Sequence, residues 1–154
     1  MCPVVPRSCN PALPVAFVPV PRLLAIALGG VLGSLARYAV VLGVGDDDPA
    51  QWPWDTLAVN LVGALLIGII ATSSAVAAGP PWVRPFAITG VLGGFTTFSA
   101  FAVETGSLLD AGQVVLAVAY VVITMTAGLL AVRLGVRHGG HETLVLQDLS
   151  LIHI

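Results

Sequence analysis

The sequence contains no lysine, six arginines and eight acidic residues, so that only 9% of it is charged. Charge that sparse is far from an ordinary soluble domain, and no nucleic-acid partner is expected. Cysteine is confined to Cys2 and Cys9. Two thiols at one end give neither a disulfide framework nor a metal site. His138 and His141 stand apart in the tail and read as solvated side chains. Enzyme signatures are also missing: there is no nucleophile with a base beside it, no Gly-rich phosphate loop and no cluster with metal-ligand spacing.

Hydrophobic residues instead make up 57% of the chain, with a mean hydropathy of +0.99. A spanning helix needs about 20 mostly apolar residues. Four segments meet that length, at residues 23–43, 57–78, 86–109 and 114–134. Linkers rich in Asp, Pro, Gly and Trp separate them. The pattern predicts an all-α membrane protein with four transmembrane helices, forming one domain over residues 23–135. Residues 1–22 hold proline at six positions through Pro21 and no continuous apolar run. They lack the apolar core and cleavage site of a signal peptide and are expected to be a disordered extension. Residues 136–154 form a tail of mixed character.

Arginine placement predicts topology. Arg7, Arg22, Arg84, Arg133 and Arg137 fall on one side of the membrane, whereas the first linker carries Asp46, Asp47, Asp48 and Asp55. The positive-inside rule then puts both termini in the cytoplasm. Trp52, Trp54 and Trp82 lie at span ends, where aromatic belts form.

The third segment is the least like a simple anchor. Its stretch GVLGGFTTFSAFAVE, residues 90–104, interrupts an apolar run with glycines, hydroxyls and phenylalanines. Adjacent glycines weaken a helix by roughly 1 kcal/mol each. Threonine hydroxyls compete for nearby backbone groups. The third helix is therefore expected to break mid-span, which is tolerated at membrane depth only where protein, water or ions meet the freed backbone.

Polar residues elsewhere carry two readings each. Arg37 is about 22 Å along the first helix from Arg22, and it serves either as a snorkelling interfacial arginine or as an anion-attracting charge in a vestibule. Asn60, one turn into the second span with Thr56 on the same face, serves an interhelical hydrogen bond or a pore. Tyr120, Thr124 and Gly128 make a narrow stripe on the last span, either back-bonded to their own helix or pore-lining. Glu104 is an ionisable group at membrane depth and hence a functional candidate. Phe98 and Phe101 share a helical face, and their electropositive ring edges suit packing or a small anion. Gly29 with Gly33, and Ala64 with Gly68, are small-residue pairs for close helix packing.

Four stretches carry a family resemblance: GGVLGSLARY at residues 29–38, TLAVNLVGALLIG at 56–68, GVLGGFTTFSAF at 90–101 with Glu104 beyond, and YVVITMTAGLLAVRLG at 120–135. In that order over four spans, the chain resembles the Fluc (CrcB) family of bacterial fluoride channels. Two departures are Ala100, where the family commonly has threonine, and Thr124, where serine is common.

The resemblance implies an antiparallel, inverted dimer with two fluoride pores and a structural sodium ion at its centre. It implies that Asn60, Phe98 and Phe101 contact fluoride and that Thr56, Tyr120 and Thr124 extend the polar track. Arg37 would occupy a vestibule, Glu104 a pore entrance, and the backbone carbonyls of Gly93 and Thr96 would hold the sodium. The expected activity is passive fluoride export relieving fluoride toxicity, across the bacterial plasma membrane. The arginine bias predicts one fixed orientation, hence pairing with an oppositely oriented paralogue, with self-pairing as the alternative. A proton-coupled small multidrug transporter is the other functional class considered. It needs a carboxylate in the first span, which offers only Arg37. A purely structural membrane subunit leaves residues 90–104 without a purpose.

Overall fold

The computed structural model describes residues 19–44 and 51–151, with side chains described through residue 140. Cys2, Cys9, Arg7, Asp46, Asp47, Asp48 and most of the expected N-terminal extension lie outside the described residues. The elements are α1 (Val20–Val44), α2 (Trp54–Thr72), a short α3 (Ser74–Ala78), a π-helical segment (Pro85–Leu92), α4 (Gly93–Phe95), α5 (Phe98–Asp110) and α6 (Val114–Leu151). Four helical stretches are long and apolar enough to cross a membrane: Val20–Val44, Trp54–Thr72, Pro85–Asp110 and Val114–Gly140.

The second and fourth stretches differ from the sequence-based boundaries. α2 stops at Thr72 because Ser73 turns extended, at φ −67° and ψ 123°. The Thr72 hydroxyl donates back to the carbonyls of Gly68 and Ile69, the local competition expected of threonine at a helix end. The fourth helix does not end near residue 134 but continues to Leu151.

The bundle is built as two pairs. α1 lies mainly on the π-helical segment and α4, and α2 lies mainly on α6. Glycine permits both approaches. A β-carbon on Gly29 or Gly33 would run into the backbone of Phe86 or Val91. One on Gly68 or Gly135 would strike the facing backbone of α6 or α2. Without a hydrophobic drive between helices in lipid, this backbone proximity supplies the packing contact. The same register puts Arg22 beside the Arg84 end of the first pair. Arg133 and Arg137 come level with the Thr72 end of the second, so these four arginines share one end of the bundle. α5 is the bridge. Phe101 and Leu108 from α5 pack with Ala117 and Tyr120 of α6 and Leu57 of α2 in the one buried apolar cluster described. Long aliphatic side chains elsewhere, such as Leu28 and Leu35 of α1, face outward.

Candidate functional site

The site is organised around two extended residues between α4 and α5. Gly93 keeps helical dihedrals, φ −65° and ψ −34°; the turn out of the helix is made by Thr96 (ψ 156°) and Thr97 (φ −146°, ψ 121°). Thr96 folds its hydroxyl onto the Leu92 carbonyl at 2.9 Å. Thr97 caps α5, accepting from the Ala100 N–H at 3.2 Å, and its hydroxyl meets Ser99 Oγ at 3.1 Å. An N-cap threonine satisfies one of the donors that begin every helix.

Asn60 of α2 holds this segment from the side. Its Nδ2 donates to the Thr97 carbonyl at 3.0 Å, and its Oδ1 accepts from the Thr97 N–H at 2.9 Å. One amide thus satisfies both polar groups of an extended residue that no helix serves. Each such group left bare would cost about 1–3 kcal/mol. One Asn60 N–H remains after this pairing.

Two hollows flank Thr97. One, of about 240 Å³, is lined by Asn60, Thr96, Thr97, Phe98, Phe101, Thr124 and Met125. Phe98 is 73% exposed and its ring centroid lies 5.7 Å from that of the buried Phe101. Thr124 discriminates between the two readings of its stripe. Its hydroxyl is enclosed, the residue being only 7% exposed, and has no partner among the described residues. Thr126, two residues on, bonds back to the Val122 carbonyl at 2.7 Å, and Thr105 likewise bonds back to Phe101. Back-bonding is therefore what its neighbours do and Thr124 does not. Gly128 meets no atom that would crowd a side chain there.

The second hollow, of about 310 Å³, is lined by Arg37, Ser34, Tyr38, Asp55, Thr56 and Glu104 among others, with Thr97 shared between the two. Glu104 accepts from the Thr56 hydroxyl at 2.6 Å through Oε1 and from the Tyr120 hydroxyl at 2.7 Å through Oε2. Both are at charge-assisted lengths. Thr56 and Tyr120 thus aim their protons at the carboxylate, not into the hollow beside Phe98. Nothing in the spacing of these residues foretells the three-way pairing across α2, α5 and α6.

The structure therefore gathers Asn60, Phe98, Phe101, Thr124 and Thr96 around one hollow and Arg37, Thr56 and Glu104 around the other. Tyr120 joins them, its ring 5.2 Å from Phe101. Gly93 lies outside both hollows, exposed on the surface of the chain. Sequence reasoning passed over Thr97 as the junction, Asp55 and Ser34 in the Arg37 hollow, and Trp52. Only Thr97 had a signal, as a threonine directly preceding a resumed helix.

A sequence profile described as CrcB-like protein, Camphor Resistance (CrcB), matches residues 24–136. The chain is 46% identical over 114 residues to "Fluoride-specific ion channel FluC 1" of Mycobacterium bovis, covering 73% of this chain and 86% of that protein. It is 46% identical over 121 residues to "Fluoride-specific ion channel FluC" of Thermus thermophilus, covering 79% and 95%. The protein of the same name from Paracoccus denitrificans is 44% identical over 116 residues, covering 75% and 92%. With its four membrane-length apolar helices and a match spanning all of them, the chain is a multi-pass membrane protein of the CrcB family, among relatives that are ion channels and not enzymes.

Proposed function

We propose that this chain forms a passive fluoride channel whose ion path runs through the hollow beside Thr97. The observation that carries the reading is the enclosed Thr124 hydroxyl, without a partner among the described residues, on a residue that lines the same space as Asn60, Phe98 and Phe101. An O–H, a spare amide N–H and electropositive ring edges replace the water around a small anion without a full positive charge to trap it. Multi-site binding of that modest strength is what conduction requires. The names of the relatives support fluoride as the ion. Arg37 raises anion concentration at one mouth, and Thr56, Tyr120 and Glu104 form the polar track between the mouth and the rings.

Within this reading the third span works as a broken helix at membrane depth. The break leaves α5 presenting its N-terminus and α4 presenting its C-terminal carbonyls, an arrangement that favours an anion on one side and a cation on the other. A structural sodium ion suits the second. In an uninterrupted helix the Gly93 carbonyl would accept from Thr97 N–H and the Thr96 carbonyl from Ala100 N–H. Those donors are instead taken by Asn60 and by the Thr97 hydroxyl. Two freed carbonyls fit a hard cation, which takes oxygen ligands. Further oxygens would come from a second subunit in an antiparallel dimer. The shared arginine end is cytoplasmic by the positive-inside rule, so the partner is an oppositely oriented paralogue or an inverted copy of this chain. The direction of flow is export of fluoride from the cytoplasm, down its gradient.

The test is fluoride efflux from liposomes holding the purified protein, followed with a fluoride electrode beside a chloride control. Fast efflux confined to fluoride is expected, alone or with the paralogue. A folded protein that passes no fluoride in either arrangement contradicts the reading.

A further inference from the structure

Beyond Phe98 and Phe101, the rings continue. From Phe101 the next centroid is Tyr120 at 5.2 Å, then Trp52 at 5.5 Å with planes 77° apart, then Trp54 at 5.9 Å. This line leads from the Asn60 hollow to the α2 N-terminus, at the end of the bundle opposite Arg22, Arg84, Arg133 and Arg137. Position in sequence assigns Trp52 to a lipid-facing belt. The structure instead packs it, partly buried, against the buried cluster of Leu57, Phe101, Leu108, Ala117 and Tyr120, whereas Trp54 is largely exposed. The Trp52 indole Nε1 is enclosed and has no acceptor among the described residues. An indole nitrogen is a donor only, and buried donors of this kind ordinarily find a partner. Its neighbour Tyr120 spends its own proton on Glu104.

We infer that Trp52 is a further residue of the ion path. Its indole ring holds Tyr120 against Phe101, and its N–H is the donor that meets fluoride, directly or through one water, beyond the Glu104 carboxylate. This rests on the channel reading above. It extends the path by one donor on a residue outside the four spans. It also adds a neutral donor on the ring partner of Tyr120, whose hydroxyl is held by the Glu104 carboxylate, and a neutral donor offsets the repulsion a fixed anion exerts on the ion.

Two measurements on the full chain in lipid nanodiscs and liposomes test it. With indole nitrogens ¹⁵N-labelled, and Trp52 identified by Trp52→Phe, the Trp52 N–H proton resonance is expected to move downfield as sodium fluoride is added and to stay fixed in sodium chloride. Trp52→Phe keeps a six-membered ring on Tyr120 while removing the donor and the remainder of the indole. Its fluoride efflux is expected to fall about tenfold, the order of one hydrogen bond to a charged acceptor, with a melting curve lowered only modestly by the lost ring volume and a single cooperative transition. A Trp52 resonance deaf to fluoride, or a Trp52→Phe variant conducting like the wild type, overturns the proposal. An N–H resting on the Tyr120 ring face gives an upfield, unresponsive signal and so counts against it. Wild-type protein that passes no fluoride contradicts the channel reading itself, a result distinct from either of these.

Discussion

The two halves of the third span solve different problems. From Pro85 to Phe95 the chain lies backbone to backbone on α1, with Gly29, Gly33, Gly90 and Gly94 removing every β-carbon that would hold the helices apart. That half carries no carboxylate, and its one hydroxyl before Thr96, on Thr89, is exposed. From Phe98 to Asp110 contact with α6 is made by side chains, with Phe101 and Leu108 packed on Ala117 and Tyr120 and Glu104 bonded to Tyr120. Thr96 and Thr97 separate the halves, and Asn60 clamps Thr97 from α2. One half fixes where the segment sits, and the other, on the proposed function, carries the ion chemistry. A substitution in the first half should disturb assembly, and one in the second should disturb ion flow.

The largest effect on that division is expected from Gly33→Leu. Its β-carbon would collide with the Val91 carbonyl and crowd the Phe95 N–H. Backbone does not move aside as a side chain does, so the cost should reach or exceed about 3 kcal/mol, the upper range for overpacking. The yield of monodisperse protein and its thermal midpoint read this directly; a well-folded Gly33→Leu protein would break the comparison. Asn60→Ala comes next, because it strips both partners from Thr97. A stability loss of about 2 kcal/mol or more should accompany loss of fluoride efflux. Full-rate efflux through Asn60→Ala would remove the junction from the account.

Glu104→Gln sharpens the second half. The neutral amide removes the charge from both bonds and has one acceptor oxygen for two hydroxyls, Thr56 and Tyr120, a loss of about 1–2 kcal/mol. A freed hydroxyl proton then becomes available to an anion, and the efflux rate is expected to change while the fold survives. The smallest stability effect belongs to Thr124→Val. The hydroxyl it removes has no partner among the described residues, so thermal unfolding should shift by less than about 0.5 kcal/mol or move upward. Efflux should nevertheless slow. A thermal loss with unchanged efflux would return Thr124 to a packing role.

Much of this architecture is legible in the chain. Apolar run length gives the four spans, and Gly29, Gly33 and Gly68 declare close packing because nothing else at those positions fits a facing backbone. The stretch of glycines and threonines at 93–97 also stands out, but its details do not follow from propensity. Both glycines stay helical and both threonines turn extended, because Asn60 rewards an extended Thr97 from 37 residues away. A partner so distant in sequence leaves no local trace. The π-helical run from Pro85 has no signature beyond its proline. Glu104 shows as an isolated carboxylate, yet its two donors come from different helices and are known only once those helices pack. Trp52 is hidden for a different reason: a tryptophan at a span end reads equally well as a lipid anchor.

The most direct test of the central claim is fluoride efflux through Phe98→Leu beside the wild type, in liposomes and with a fluoride electrode. Phe98 is 73% exposed in the single chain, so leucine removes its electropositive ring edge with little change in core packing. A properly assembled protein is expected whose fluoride efflux is at least about tenfold slower, the effect of losing about 1.4 kcal/mol of ion stabilisation. Efflux at the wild-type rate from that protein would contradict the claim that the second half of the third span carries the ion.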